Sequence, residues 1–138
     1  EVGDIPFLKQ VFACMKAFII DREDLKQSMQ VIVNVIREVR AGRNYLIFAE
    51  GTRSKNGNHP GTFKGGSFKT ATKTKCPIVP VALIDSFKAF DTGSTEKITV
   101  QVHILPPMYY EEYKDMHTTE IAEEVKRRIE KVIEENTI

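Results

Sequence analysis

The 138-residue sequence is poor in the residues on which several classes of site depend. It contains two cysteines, three histidines and no tryptophan. Cys14 and Cys76 lie far apart and form no Cys-x-x-Cys motif, so we expect two buried thiols in a reducing compartment. No histidine has a carboxylate or a cysteine at ligand spacing. The sequence therefore predicts neither a metal site nor a bound cofactor.

Long apolar runs and nucleotide-binding motifs are also missing. No run approaches the roughly 18–20 residues of a membrane span, and we expect no signal peptide. GxGxxG and GxSxG motifs do not occur. Residues 61–66 have the glycine spacing of a P-loop, but Ser67 and Phe68 occupy the positions that require lysine and serine or threonine. We expect a soluble single domain over residues 1–138.

The formal charge of +1 conceals one strongly basic segment. Residues 51–75 contain six basic residues and no acidic one, a balance that attracts phosphate groups and anionic surfaces. The three lysines after residue 68 fit a solvated helix face equally well. Arg53 and Lys64 instead lie in a glycine-rich loop. Nucleic acid is not a predicted partner, because the segment is short and has few interleaved aromatic residues.

Hydrophobic periodicity predicts an α/β fold. Helical spacing is seen near residues 7–15, 25–40, 68–75 and 118–135, and strand-like patterns at 17–20, 45–48, 78–84 and 97–105. The β-α-β order of the first half predicts parallel neighbours, hence a mixed, largely parallel central sheet flanked by helices. Pro80 predicts an edge or a bulge in the third strand.

Two apolar faces are predicted from these patterns. Asp24 and Gln27 fit a helix N-cap, and Gly42 fits the C′ position of the same helix. Its predicted buried stripe consists of Leu25, Met29, Ile32, Val33, Ile36 and Val39. The strand at 97–105 alternates apolar with polar residues, which is typical of a half-exposed strand. Its apolar set is Ile98, Val100, Val102 and Ile104.

The predicted strand at 45–48 leads directly into Glu-Gly-Thr-Arg-Ser at residues 50–54. In open α/β sheets, ligands bind outside the carboxyl ends of the strands. A carboxylate, a glycine, a hydroxyl and a guanidinium in succession favour a site for an anionic, hydroxyl-bearing ligand. The same residues also fit a plain turn with a Glu50–Arg53 ion pair. Arg22 follows the strand at 17–20 in a similar way, but taken by itself it favours a local ion pair with Asp21, Glu23 or Asp24.

Four ordered blocks resemble the lysophosphatidic acid acyltransferase family of the glycerol-phosphate acyltransferase superfamily. They are FIIDR at 18–22, FAEGTRS at 48–54, FKGG at 63–66 and IVPV at 78–81. Ala49 stands where the family usually has proline. The resemblance covers about residues 5–105 and implies an acyltransferase fold.

The resemblance implies transfer of a fatty acyl group to 1-acyl-sn-glycerol 3-phosphate, which gives phosphatidic acid. Acyl-CoA or acyl carrier protein would be the donor, and the enzyme would lie peripherally at the cytoplasmic face of the membrane. Family catalysis uses an upstream His-x4-Asp pair. The fifth residue after each histidine here is Lys64, Met108 or Ala122. We therefore expect the C-terminal portion of an acyltransferase domain, beginning after the catalytic block and inactive by itself.

The resemblance also assigns roles to individual residues. Arg22 and Arg53 would hold the acceptor phosphate through bidentate contacts. Glu50 would either orient the acceptor hydroxyls or hold Arg53 in its rotamer. The complete predicted phosphate-binding set is Arg22, Glu50, Gly51, Thr52, Arg53 and Lys64. The predicted acyl and thioester side is Val79, Pro80 and Val81.

Two alternatives remain open at this point. One is a catalytically inactive relative that binds lysophospholipid or phosphatidate. The other is a generic phosphate-binding α/β module, such as a nucleotide binder, which competition between phosphatidic acid and nucleotides would distinguish.

Overall fold

The computed structural model describes residues 6–20, 24–91, 93 and 95–137, and the chain divides into two compact units. The first unit, Glu1–Tyr45, contains helices α1 (Pro6–Cys14) and α2 (Leu25–Arg40). In the second unit, Leu46–Ile138, the described residues form a 3₁₀ helix followed by four α-helices and two strands. In chain order these are the 3₁₀ helix Gly65–Phe68, α3 (Lys69–Thr74), β1 (Val81–Ile84), α4 (Lys88–Asp91), β2 (Gln101–Ile104), α5 (Tyr110–Tyr113) and α6 (Thr118–Asn136). None of the helices described is both long enough and apolar enough to cross a membrane.

Helix α2 begins and ends where its cap residues predict. The Asp24 carboxylate accepts a hydrogen bond from the Gln27 backbone N–H at 3.0 Å. Gly42 follows the helix with a φ of 87°, a left-handed conformation that favours glycine. The predicted buried stripe is wrong in part, because Leu25, Met29 and Val33 are exposed. Within unit 1, burial instead falls on Val31 and Val35.

The predicted strands at 17–20 and 45–48 are not strands in the structure. A strand requires backbone hydrogen bonds to a neighbour, and what links Phe18 and Lys16 to Tyr45 are side-chain contacts. The rings of Phe18 and Tyr45 stack with centroids 5.8 Å apart, and the Tyr45 hydroxyl donates to the Lys16 carbonyl oxygen at 3.4 Å. Leu46 and Phe48 are exposed rather than buried.

The sheet that the described residues form is antiparallel and has two strands, so the prediction of a largely parallel sheet is wrong. Strands β1 and β2 pair in the register Val81↔Ile104 to Ile84↔Gln101. The predicted interruption at Pro80 is confirmed. Ile78 forms an isolated bridge to Met108, and Pro80 separates it from β1. Because proline cannot donate to a ladder, pairing resumes only at Val81.

The two faces of β2 are inverted relative to the prediction. Val102 and Ile104 are exposed, whereas Gln101 and His103 are half-buried. The inward polar residues have hydrogen-bond partners. The Gln101 carboxamide bonds the His103 ring at 3.0 Å and donates to the backbone carbonyl of Asn136, at the end of α6. Hydrogen bonding of this kind offsets the cost of taking polar groups out of water.

The core of the second unit is built on α6, as its helical periodicity predicts. Fully buried side chains from α6, β1 and α5 meet there, together with Phe68 and Ala71 from the segment after the loop. The Tyr113 hydroxyl donates to the carbonyl oxygens of Cys76 and Ala71. Burial raises the pKa of Tyr113 to about 12. The thiols differ from expectation, since Cys14 is exposed and Cys76 is only half-buried.

Candidate anion site

The predicted Glu-Gly-Thr-Arg-Ser segment opens a loop whose ends are fastened together. The Glu50 carboxylate accepts a hydrogen bond from the Gly61 backbone N–H at 2.8 Å. Next to it, the Lys64 N–H donates to the Ala49 carbonyl oxygen at 2.8 Å. Gly51 has a φ of 65°, which turns the chain away at a conformation favourable to glycine. Residues 50–61 thus form a compact surface loop of the Ω type.

The interior of this loop is hydrogen-bonded to itself. The Ser54 hydroxyl donates to the His59 carbonyl oxygen at 2.9 Å and accepts from the Asn56 N–H at 3.1 Å. The His59 N–H in turn donates to the Asn56 carbonyl oxygen at 3.1 Å. A turn that is hydrogen-bonded internally therefore follows Arg53 directly.

The loop surrounds a cleft with a volume of about 260 Å³. Arg53 and Lys55 contribute cations and Thr52 contributes a hydroxyl group, whereas the Ser54 hydroxyl proton is already donated to the His59 carbonyl oxygen. Cations together with hydroxyl donors are the chemistry that recognises phosphate. The residues that line the cleft are Glu50, Thr52, Arg53, Ser54, Lys55, Asn56, His59, Pro60 and Gly61.

The structure brings together only some of the residues predicted from the sequence. Glu50, Thr52 and Arg53 line the cleft around Gly51, whereas Lys64 is exposed beside it. The hydrogen bond from Gly61 gives Glu50 a role that neither predicted alternative contains, which is closure of the loop. The predicted acyl-side residues lie elsewhere, at the start of β1: Val79 is exposed, Pro80 buried and Val81 half-buried. Arg22 lies outside the described residues, so its convergence with Arg53 stays a prediction.

Metal-ligating side chains are not clustered in the described parts of the chain. No three of the histidine, cysteine, aspartate and glutamate side chains described come together as a metal site would require. The cleft itself offers one carboxylate and one imidazole, from Glu50 and His59. The Glu50 carboxylate already accepts a hydrogen bond from Gly61.

Comparison with known proteins identifies the family. The model of the Acyltransferase family matches residues 1–84, which include the whole cleft. The chain belongs to the acyltransferase family. Two bacterial relatives named 1-acyl-sn-glycerol-3-phosphate acyltransferase are each 30% identical to this chain. The match covers 93% of this chain for the relative from Borreliella burgdorferi and 83% for the relative from Helicobacter pylori. A chloroplastic enzyme of that name from Brassica napus shares 33% identity over 76% of this chain and 31% of its own length.

This acyltransferase-family chain spans about half the length of the curated relatives it matches. It covers 53% of both bacterial sequences. No solved structure matches the chain significantly.

Sequence patterns did not reveal three residues of the site region. His59, predicted only to lie in the loop, lines the cleft. Asn58 and Asp85 are hydrogen-bonded to each other across 27 residues of sequence. Asp85 directly follows the apolar run of β1, at a strand end where α/β proteins place functional polar residues. The position of Asp85 directly after an apolar run is therefore the one sequence signal that could have indicated this residue.

Proposed function

We propose that the protein transfers a fatty acyl group to lysophosphatidic acid to form phosphatidic acid. In this proposal the chain provides the site for the acceptor phosphate. Acyl-CoA or acyl carrier protein is the donor, and the reaction takes place at the cytoplasmic face of a membrane. The names of the bacterial and chloroplastic relatives support the acceptor, and the donor and the membrane face follow from the family resemblance.

The observation that carries the proposal is the position of Arg53 in the cleft. It directly follows Thr52, a hydroxyl-bearing residue that also lines the cleft, in a loop closed by Glu50. A guanidinium presents its donors in a planar fork that matches two phosphate oxygens. Since the Glu50 carboxylate accepts the Gly61 N–H, loop closure supplies a reason for an acidic residue beside an anion site.

The proposed chemistry is attack of the acceptor hydroxyl on the thioester carbonyl. A carbon–oxygen bond forms, the carbon–sulfur bond breaks, and the hydroxyl proton passes through a base to the departing thiolate, which leaves as the free thiol. In the family this base is the histidine of the His-x4-Asp pair, and the 138-residue sequence contains no such pair. We propose that the chain by itself binds the acceptor but does not turn it over.

The proposed contact between Arg53 and the acceptor phosphate can be tested by steady-state kinetics of the complete protein carrying Arg53→Lys. Lysine keeps the charge but replaces a forked contact with a point contact. A charge-assisted hydrogen bond contributes about 1.5–3 kcal/mol, so we expect the acceptor KM to rise roughly ten- to a hundredfold. If this contact also positions the acceptor hydroxyl against the thioester, kcat falls as well. The donor KM should change little.

Arg127→Lys is the matched control, because Arg127 pairs with Glu124 on the surface of α6. Exposed ion pairs contribute under about 1 kcal/mol, and lysine can replace arginine in them. An Arg53→Lys enzyme with wild-type acceptor KM and kcat would exclude the proposed phosphate contact. It would leave the plain Glu50–Arg53 turn as the better interpretation.

A further inference from the structure

Within the second unit, the far side of the Arg53 loop is fastened to the end of β1 by a reciprocal pair of hydrogen bonds. The Asn58 side-chain amide donates to the Asp85 carboxylate at 3.0 Å. In return, the Asp85 backbone N–H donates to the Asn58 side-chain oxygen at 2.8 Å. Both bonds are partly buried. A carboxamide satisfies this arrangement because it has a donor and an acceptor on one rigid plane.

Asp85 is itself held in place from two sides. Its φ of 64° is left-handed, a conformation in which aspartate is several-fold enriched among non-glycine residues. The Lys88 ammonium lies 2.9 Å from the second carboxylate oxygen. Hydrogen bonds from Lys88 and Asn58 lower the pKa of Asp85, so the residue is a carboxylate at neutral pH. Asp85, between the end of β1 and the start of α4, is therefore a fixed point to which the loop is attached.

The surroundings of Gly57, next to Asn58, leave ordinary van der Waals space. Gly57 has a φ of 59°, and a Cβ added there would lie 3.6 Å from the Cζ atom of the Phe87 ring. Hydrogen bonds therefore fasten the loop at two separate places. Glu50 and Gly61 close its base, while Asn58 attaches the opposite side to Asp85.

This attachment bears directly on Arg53. The turn from Ser54 to His59 is rigidified by its internal hydrogen bonds, so fixing Asn58 within it also fixes the residue that precedes Ser54. A site residue that acts by forked hydrogen bonding has to be held near its productive geometry by its supporting contacts. Without the attachment, ligand binding would have to order the loop, which lowers affinity.

We infer that Asn58 and Asp85 are positioning residues for the acceptor site, which hold the 50–61 loop against the end of β1 and so place Arg53 in the cleft. The inference rests on the proposed function. It adds that the affinity for the phosphate-bearing acceptor depends on a pair of residues that do not line the cleft beside Arg53.

The test exchanges the two side chains in the complete protein. Asn58→Asp removes the amide donor and sets one carboxylate against another, and we expect the KM for lysophosphatidic acid to rise about tenfold. The double variant Asn58→Asp with Asp85→Asn reverses the pair: the carboxylate at position 58 accepts from the amide at position 85 and from the backbone N–H there. It should restore the acceptor KM to within about twofold of wild type, with the donor KM unchanged throughout.

Asn34→Asp makes the same chemical change on α2, where the Asn34 side-chain oxygen accepts a hydrogen bond from the Gln30 amide. It should leave the acceptor KM unchanged. Thermal unfolding of every variant separates loop positioning from loss of fold, because a purely structural role lowers the unfolding temperature without changing the acceptor KM of the enzyme that remains folded.

Each outcome bears on the inference. If Asn58→Asp leaves the acceptor KM unchanged, or if the double variant fails to recover it, the positioning role is overturned. A double variant that recovers the wild-type KM supports the role even where the single variant does not fold. If Arg53→Lys has no effect, the proposed phosphate site fails first, so the two failures are distinguishable.

Discussion

Replacement of Gly65 by alanine should destabilise the protein, whereas the same change at Gly66 should not. Both glycines lie in the 3₁₀ helix that follows Lys64. A Cβ on Gly65 would lie 3.2 Å from the Thr118 Oγ1 atom and 3.3 Å from backbone atoms of Thr118 and Thr119. A Cβ on Gly66 would meet no atom within 4 Å. The pair therefore tests one specific contact, with the neighbouring glycine as its control.

The expected cost follows from what surrounds Gly65. The Thr118 hydroxyl can rotate away, but the backbone of the first turn of α6 cannot shift without moving Ile121, which is fully buried. Overpacking of this kind costs about 1–3 kcal/mol. Gly66→Ala should instead stabilise by about 0.4–1 kcal/mol, because alanine restricts the unfolded chain. The two variants should differ by about 1.5–4 kcal/mol.

Thermal unfolding followed by circular dichroism gives the required measurement. For a chain of this size, 1 kcal/mol corresponds to roughly 3–5 °C in Tm, so Gly65→Ala should unfold several degrees below Gly66→Ala. Urea titration with an unchanged m-value would confirm that stability alone has changed. Equal Tm values for the two variants would refute the close packing of Gly65 on α6.

Three further outcomes are expected. Incubation of the chain with acyl-CoA and lysophosphatidic acid should release no thiol above background, and enzyme-level turnover would point to His59 in the cleft as the base. Because burial raises the folded pKa of Tyr113 from 10.0 to about 12, its stabilising effect is complete below pH 10 and lost as the pH rises through 12. Tyr113→Phe should flatten that loss in alkaline unfolding curves. Hydrogen bonds from Arg127 and Arg128 lower the folded pKa of Glu124 from 4.5 to about 2. Stability that is present above pH 4.5 should therefore disappear as the pH falls through 2, and Glu124→Gln should lack this dependence.

Local signals in the sequence predicted α1, α2, α3 and α6, but not the four-residue helices α4 and α5. Asp24 marks the start of α2, and the spacing of Ile121, Val125 and Ile129 predicts the buried face of α6. These features depend on residues three or four apart, which one helix brings together by itself. The strands at 17–20 and 45–48 failed for the opposite reason. Apolar β-branched and aromatic residues fit a pleated surface, but a strand also needs a neighbour, and the pattern does not specify one.

The same difference between local and long-range contacts applies to the candidate site. Glu50, Thr52 and Arg53 are adjacent in sequence, so their common location could be predicted from the motif. Asn58 and Asp85 meet only because the chain returns after 27 residues, and no local pattern encodes that meeting. Alternation in β2 likewise showed which residues share a face, but only the packing of α6 against β1 determines which face is covered.

The inverted faces of β2 have a consequence for work with the protein in solution. Val100, Val102 and Ile104 present apolar side chains to water, and contiguous apolar surface promotes self-association. Lysine or threonine at positions 102 and 104 would reduce self-association without changing Ala82 and Ile84, the buried residues of β1. The exposed side chains of β2 and the buried side chains of β1 therefore offer separate positions at which to change solubility and folding stability.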